Sequence, residues 1–311
     1  MIHLSNGHTF EYMIASGAMG FDGRGWFWER PLVALGLMKL ELFTIVLRTL
    51  TCEPRLYPVS NLSWIRPWTW LPWSPYSCVR FLPNGGAVNK VGLYNHGIEY
   101  WYDNIAPTID FKKNKIVVSV FGTRHELIQM AERLDYLDDI VGIEVNVSCP
   151  NTGHAMDVAN EVIDSVRLVS QATEHPVIVK VSVDQDYLAI SKGLGLCAEA
   201  ISLNSVPWKI AFPSPWHRSP MAEVGKLGSG DGGVSGKPAQ KENWKAVEVL
   251  ACQGPIPVIG PSVMEYDDLA RVRALGAQAV SFGAIHLRTP WMSTQIVARE
   301  EYERELLRRP A

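Results

Sequence analysis

The sequence predicts an α/β protein: one closed (β/α)8 barrel spanning residues 1–311, with long loops over its C-terminal face. Three observations predict it. Short, almost unbroken Val/Ile runs recur along the chain, as buried parallel strands require. Segments with helical spacing of apolar residues lie between them, which makes βαβ units. Polar residues and glycines gather where the runs end, and in a barrel those ends converge on one face.

The runs are as follows, in chain order. A short one at 13–15 precedes Ser16-Gly17, and the run at 43–47 ends at Arg48-Thr49. Residues 116–121 (IVVSVF) end at Gly122, and 142–147 lead into Ser148-Cys149-Pro150-Asn151. Residues 177–181 contain Lys180, and 200–203 end at Asn204-Ser205. The runs at 257–259 and 279–282 end at Gly260 and Gly283. Helices are predicted at 124–137, where Leu127, Met130, Ala131 and Leu134 form a stripe, and at 159–172, 241–251 and 266–275, the last closed by Gly276. Eight strands favour a closed barrel over an open sheet. Two stretches interrupt the pattern: 51–95, rich in Trp and Pro, and 206–233, rich in Pro and Gly. Loops of that length in a compact fold are usually lids or binding loops.

Composition narrows the class. Hydrophobic residues make up 47% of the 311 residues and charged ones 20%, enough to bury a core without disulfide or metal staples. The formal net charge of −3 offers no basic footprint for nucleic acid. Five cysteines (52, 78, 149, 197, 252) include no Cys-x-x-Cys pair, so neither a metal site nor an iron–sulfur cluster is expected within the chain. The stretch 32–50 is broken by Lys39, Glu41 and Arg48 and falls short of the roughly 20 apolar residues of a membrane span. The start lacks the basic and apolar regions of a signal peptide. A cytoplasmic protein without membrane contact is expected.

The chemistry concentrates in Glu144-Val145-Asn146-Val147-Ser148-Cys149-Pro150-Asn151. Two asparagines flank a thiol. Each offers two donors and an acceptor oxygen, which suits a planar cyclic imide. An isolated cysteine beside a helix start is more often structural. Likewise Arg48, Asn146, Lys180, Asn204, Gly260 and Gly283 are each ordinary alone; six at strand ends on one face are not. Lys180 lies among Val177, Ile178, Val179 and Val181, which excludes a surface lysine.

The segment Asn-Val-Ser-Cys-Pro-Asn resembles the surroundings of the active-site base in dihydroorotate dehydrogenases. The resemblance extends to 13–20 (MIASGAMG), 46–51 (VLRTLT), 89–97 (NKVGLYNHG), 232–236 (GGVSG) and 257–260 (PVIG). It implies FMN as cofactor and oxidation of dihydroorotate to orotate in pyrimidine biosynthesis. Cys149 would be the base, as in the soluble, cysteine-using class. Arg48, Asn89, Gly92, Leu93, Asn146, Asn151, Asn204 and Ser205 would contact substrate. Ala15, Ser16, Arg48, Thr49, Asn146, Lys180, Gly232, Gly233, Gly260, Gly283 and Ala284 would contact the flavin, with Lys180 at its N1/O2 edge. A homodimer is implied, and reduction of NAD would need a second, electron-transfer subunit.

Three positions depart from the family pattern. Arg48 stands where lysine is usual, Pro261-Ser262 where two glycines are usual, and Ala284 where threonine is common. Proline has no N–H to offer a phosphate, and Arg for Lys at a close contact is not conservative. The alternatives are the same barrel acting on another dihydropyrimidine or cyclic imide, or a non-catalytic flavin-barrel homologue.

Overall fold

A computed structural model describes residues 1–55, 78–148, 158–222 and 231–308. Cys149, Asn151 and the Trp-rich stretch 56–77 lie outside the described residues. The strands of the barrel are β1 (Tyr12–Ile14), β2 (Thr44–Val46), β3 (Lys115–Val120), β4 (Gly142–Asn146), β5 (Val177–Val181), β6 (Ala200–Leu203), β7 (Val258–Gly260) and β8 (Ala279–Phe282). Each pairs in parallel with its sequence neighbour, and β8 pairs with β1, so the sheet closes. This is the expected (β/α)8 architecture. The strand ends differ from the sequence expectation by a residue or two, as hydrogen-bond ladders rather than apolar character set them.

The helices that cover the barrel include α1 (Arg124–Leu134), α2 (Ala159–Gln171), α3 (Tyr187–Leu194), α4 (Lys237–Gln253), α5 (Asp267–Ala274) and α6 (Met292–Arg308). α1 begins at a capping box: Thr123 accepts from the Glu126 amide and Glu126 accepts from the Thr123 amide. Its stripe Leu127, Met130, Ala131 and Leu134 is buried against the barrel, as predicted. α4 starts earlier than expected, because Pro238 in its first turn needs no N–H partner. α3 and α6 were not anticipated.

Alternation along the strands makes two apolar layers. Ile45, Val118, Ile143, Val179, Ile201 and Val280 face the helices in the main core. Met13, Val46, Val117, Ile178, Ala200, Ile259 and Ala279 face the barrel axis in a second cluster. Ile2, Leu4 and Phe10, from the N-terminal hairpin Ile2–His3 and Thr9–Phe10, join that inner cluster and seal the lower end. Each such fully buried side chain is worth roughly 1.5–3 kcal/mol. Above the plug the interior turns polar, and the site begins there.

The two predicted insertions meet over the barrel. Antiparallel strands Val79–Leu82 and Gly86–Asn89 come from the first, Val206–Pro207 and Gly233–Gly236 from after β6. They form one four-stranded sheet. Among the described residues no helix is long and apolar enough to cross a membrane.

Candidate active site

A cavity of about 240 Å³ opens where the barrel strands end, beneath the antiparallel sheet. It gathers residues from six barrel strands or the turns after them: Ala15 and Ser16 after β1, Arg48 and Thr49 after β2, Asn146 in β4, Lys180 in β5, Asn204 and Ser205 after β6, Gly283 and Ala284 after β8. Asn89, Gly92 and Leu93 join from the first insertion. These thirteen sequence-expected site residues therefore share one lining. Cys149 and Asn151 fall outside the described residues, directly after Ser148, which is buried beside the cavity wall.

A continuous hydrogen-bond chain fixes the floor. The Ser16 hydroxyl donates to Leu47 O at 2.8 Å and lies 3.2 Å from Thr49 Oγ1, which lies 2.9 Å from Ser119 Oγ. Ser119 Oγ donates to Glu144 Oε1 at 2.8 Å. Lys180 Nζ reaches the same oxygen at 3.4 Å, and Ser202 Oγ donates to Oε2 at 3.4 Å. Asn146 donates through Nδ2 to Thr49 Oγ1 and accepts at Oδ1 from both the amide and the hydroxyl of Ser148. Asn204 Nδ2 donates to Ser148 O at 3.2 Å. Asn146 and Asn204 thus hold Ser148 from two sides, at the point where the chain enters the Cys149 segment.

Lys180 and Glu144 are 5% and 1% exposed, so this is a buried ion pair with serine hydroxyls on the carboxylate. Glu144 is a positioning group that sequence reasoning passed over. The signal was present: in Gly142–Asn146 it shares inward parity with Asn146, so a carboxylate in an apolar strand had to find partners inside the barrel.

Arg48 is buried and points into the cavity with its guanidinium carbon 5.1 Å from the Phe21 ring centre and 5.9 Å from that of Trp26. Cation–π contact with two rings restricts where its planar fork can point. Trp26 stacks on Trp28 at 5.5 Å, and both line the cavity. Neither was foreseen, because the loop after β1 has no periodicity to read. Glu29, 1% exposed, accepts from the Trp26 amide at 2.8 Å and braces this wall. Burial pushes its carboxyl from 4.5 up to about 8. The folded protein therefore holds a proton there that the unfolded chain releases, and stability declines as pH rises from about 4.5 to about 8. Glu29→Gln keeps the acceptor and should flatten that decline, a gain on the order of a few kcal/mol at alkaline pH. Melting temperatures of both proteins between acid and alkaline pH test this; parallel curves would refute it.

The remaining glycines shape the site without lining it. A Cβ on Gly233 would sit 2.3 Å from Ser205 Oγ, and one on Gly232 2.8 Å from Asn89 O. These two glycines let the lid strand press against Asn89 and Ser205, and Asn89 Nδ2 donates to Gly233 O at 3.3 Å. Gly260 faces outward: a Cβ there would meet Val272 and Ala277 at 2.5 and 2.9 Å. Gly92 and Leu93 take φ of +68° and +58°, turning the chain above the cavity. Pro261 and Ser262, the expected departures from the family pattern, also line the cavity, as do Ser235 and Gly236 of the 232–236 segment; Asn243 and Ser281 are lining residues that the sequence reading does not name.

With two cations, several amides and hydroxyls and thin Ala/Gly walls, the cavity suits a flat, polar, partly anionic ligand. The sequence profile of the dihydroorotate dehydrogenase family matches residues 78–301. That match begins after β2, so Ala15, Ser16, Arg48 and Thr49 join the site through the cavity alone. Three curated relatives, from Geobacter metallireducens, Desulforamulus reducens and Bacteroides fragilis, are each named the catalytic subunit of dihydroorotate dehydrogenase B (NAD(+)). The first is 31% identical over 227 residues, covering 70% of this chain and 72% of its own length. The second is 31% identical over 223 residues, covering 68% and 70%. The third is 29% identical over 234 residues, covering 72% and 74%.

Proposed function

The chain belongs to the dihydroorotate dehydrogenase family, and from that premise we propose that it is an FMN-dependent oxidoreductase converting dihydroorotate to orotate. The observation that supports this most directly is the shared cavity, in which Asn89, Asn146 and Asn204 surround a space also reached by Lys180 and Arg48. Two further features fit a flavin. A buried lysine lines the cavity, and its charge offsets what the ring gains on reduction. The side-chain oxygen Oδ1 of Asn243, buried in the same lining, lacks a partner among the described residues and so is ready for a ligand donor.

In this reading Ala15, Ser16, Thr49, Lys180, Gly283 and Ala284 hold the flavin. When bound, FMN would supply the two-electron acceptor that the oxidation at C6 of the substrate requires. Cys149 takes the proton from C5. Its thiol needs only modest activation, because a free thiol titrates near about 8.5. Asn89, Asn146, Asn151 and Asn204 read the imide edge of the ring, Asn146 and Asn204 through the amide N–H that Thr49 and Ser148 leave over. Arg48, aligned by Phe21 and Trp26, meets the substrate carboxylate. Glu144 holds the Lys180 ammonium in place through its Oε1. The name carried by the relatives, a catalytic subunit linked to NAD(+), supports a second subunit as the route for electrons out of this chain.

The absorbance spectrum of the purified protein tests the reading. Flavin bands that bleach on anaerobic addition of dihydroorotate are expected. Flavin that stays oxidised with dihydroorotate but bleaches with another dihydropyrimidine would move the assignment to that substrate.

A further inference from the structure

One end of the cavity lining is built from Asn243, hydrogen-bonded to Ser262 beside Pro261, and from Ser235 and Gly236, the latter packed against Ala284. None of these is basic. Pro261 has no N–H and Ala284 no hydroxyl, so the usual means of gripping a phosphate are thinned.

Something else is built there. Asn243 lies on the buried stripe of α4, with Ala239, Ala246, Val247 and Leu250, and is 2% exposed. Its Nδ2 donates to Ser262 Oγ at 3.2 Å. Ser262 takes a φ of +66°, a conformation that costs a residue with a Cβ. α4 holds it there: Gln240 Nε2 donates to Ser262 O at 3.0 Å and Trp244 Nε1 to Pro261 O at 2.9 Å. Asp268 Oδ2 accepts from Gln240 Nε2 and from the amides of Met264 and Glu265, so those two amides are already occupied. The loop after β7 is therefore pinned with a serine hydroxyl and an asparagine at the cavity wall, and Asn243 Oδ1 is left without a partner among the described residues. Buried polar atoms are rarely left so. An amide oxygen only accepts, so its missing partner is an O–H or N–H donor. A phosphate dianion has neither, whereas a polyol chain does.

We infer that this end of the cavity is a polyol subsite, in which Asn243 Oδ1 accepts from a hydroxyl of the flavin's ribityl chain. Recognition of that chain, rather than of phosphate charge, then sets the affinity for the cofactor's tail. The inference rests on the reading of the cavity as a flavin site.

Titration of the flavin-free protein with FMN, riboflavin and lumiflavin, followed by quenching of flavin fluorescence, tests it without recourse to turnover. Lumiflavin carries the ring without the polyol. The intact protein is expected to bind riboflavin within about tenfold of FMN. Asn243→Leu should weaken both by about tenfold and leave lumiflavin unchanged, since one buried hydrogen bond is lost. Asn243→Asp retains an acceptor and should keep riboflavin affinity within about threefold, a second test should the leucine variant not fold. Riboflavin binding weaker than FMN by about a hundredfold or more would return the tail to phosphate recognition and overturn the inference. So would an Asn243→Leu protein that binds all three flavins as the parent does, or loses lumiflavin as much as riboflavin. Failure of every flavin to bind the intact protein would overturn the flavin reading itself, an outcome distinct from these.

Discussion

Lys180→Met is expected to lower the rate of flavin reduction by dihydroorotate by about 100-fold or more, the scale for removing one charge aimed at the reacting system. It should also destabilise the fold by about 3–5 kcal/mol, because Glu144, 1% exposed, would be left with serine hydroxyls and no cation. The two effects separate in the double variant with Glu144→Gln, which removes the stranded charge. Stability should recover while the rate should not. Single-turnover absorbance and thermal unfolding measure the two. A double variant that regains the rate would make Lys180 a structural partner of Glu144 only.

Cys149→Ala should slow substrate oxidation by about 10²–10⁴-fold, the range for a positioned general base, while flavin binding stays intact. Cys149→Ser should retain part of the activity with its pH optimum displaced upward, because a hydroxyl is a far weaker acid than a thiol. In the parent enzyme the rate of bleaching should rise with pH as the thiol ionises to the basic thiolate. Bleaching by the alanine variant at the parent rate would assign the proton to another group.

The barrel was readable because parallel strands buried on both faces are written as nearly unbroken Val/Ile runs, and each run at 177–181, 200–203 and 279–282 became a strand with the same limits. Helices carry a weaker signature. α3 is short and interrupted by Gly193, and α6 carries so many charges that its buried Ser293, Thr294, Ile296 and Val297 do not stand out. The lid sheet was not legible at all, since Asn89 and Gly233 pair across 144 residues of sequence. In the site, Asn146, Lys180 and Asn204 announced themselves as polar residues at apolar strand ends. Asn243 was equally legible in principle, an amide in the apolar stripe of a helix, but reading α4 as 241–251 truncated the stripe. Gly260 illustrates the parity rule. Ile259 points inward, so the glycine after it turns to α5.

The stopper made by Ile2, Leu4 and Phe10 has a consequence for traffic. With the lower end of the barrel shut, the route among the described residues is the opening at the strand ends, which dihydroorotate, orotate and any small oxidant are expected to share. Molecules that share one doorway exclude one another in time, so orotate must depart before a small oxidant can enter. Kinetics with such an oxidant are expected to take a ping-pong form, with inhibition by excess dihydroorotate waiting in the passage. A protein that instead draws electrons through the wall frees the doorway for substrate, and that inhibition disappears.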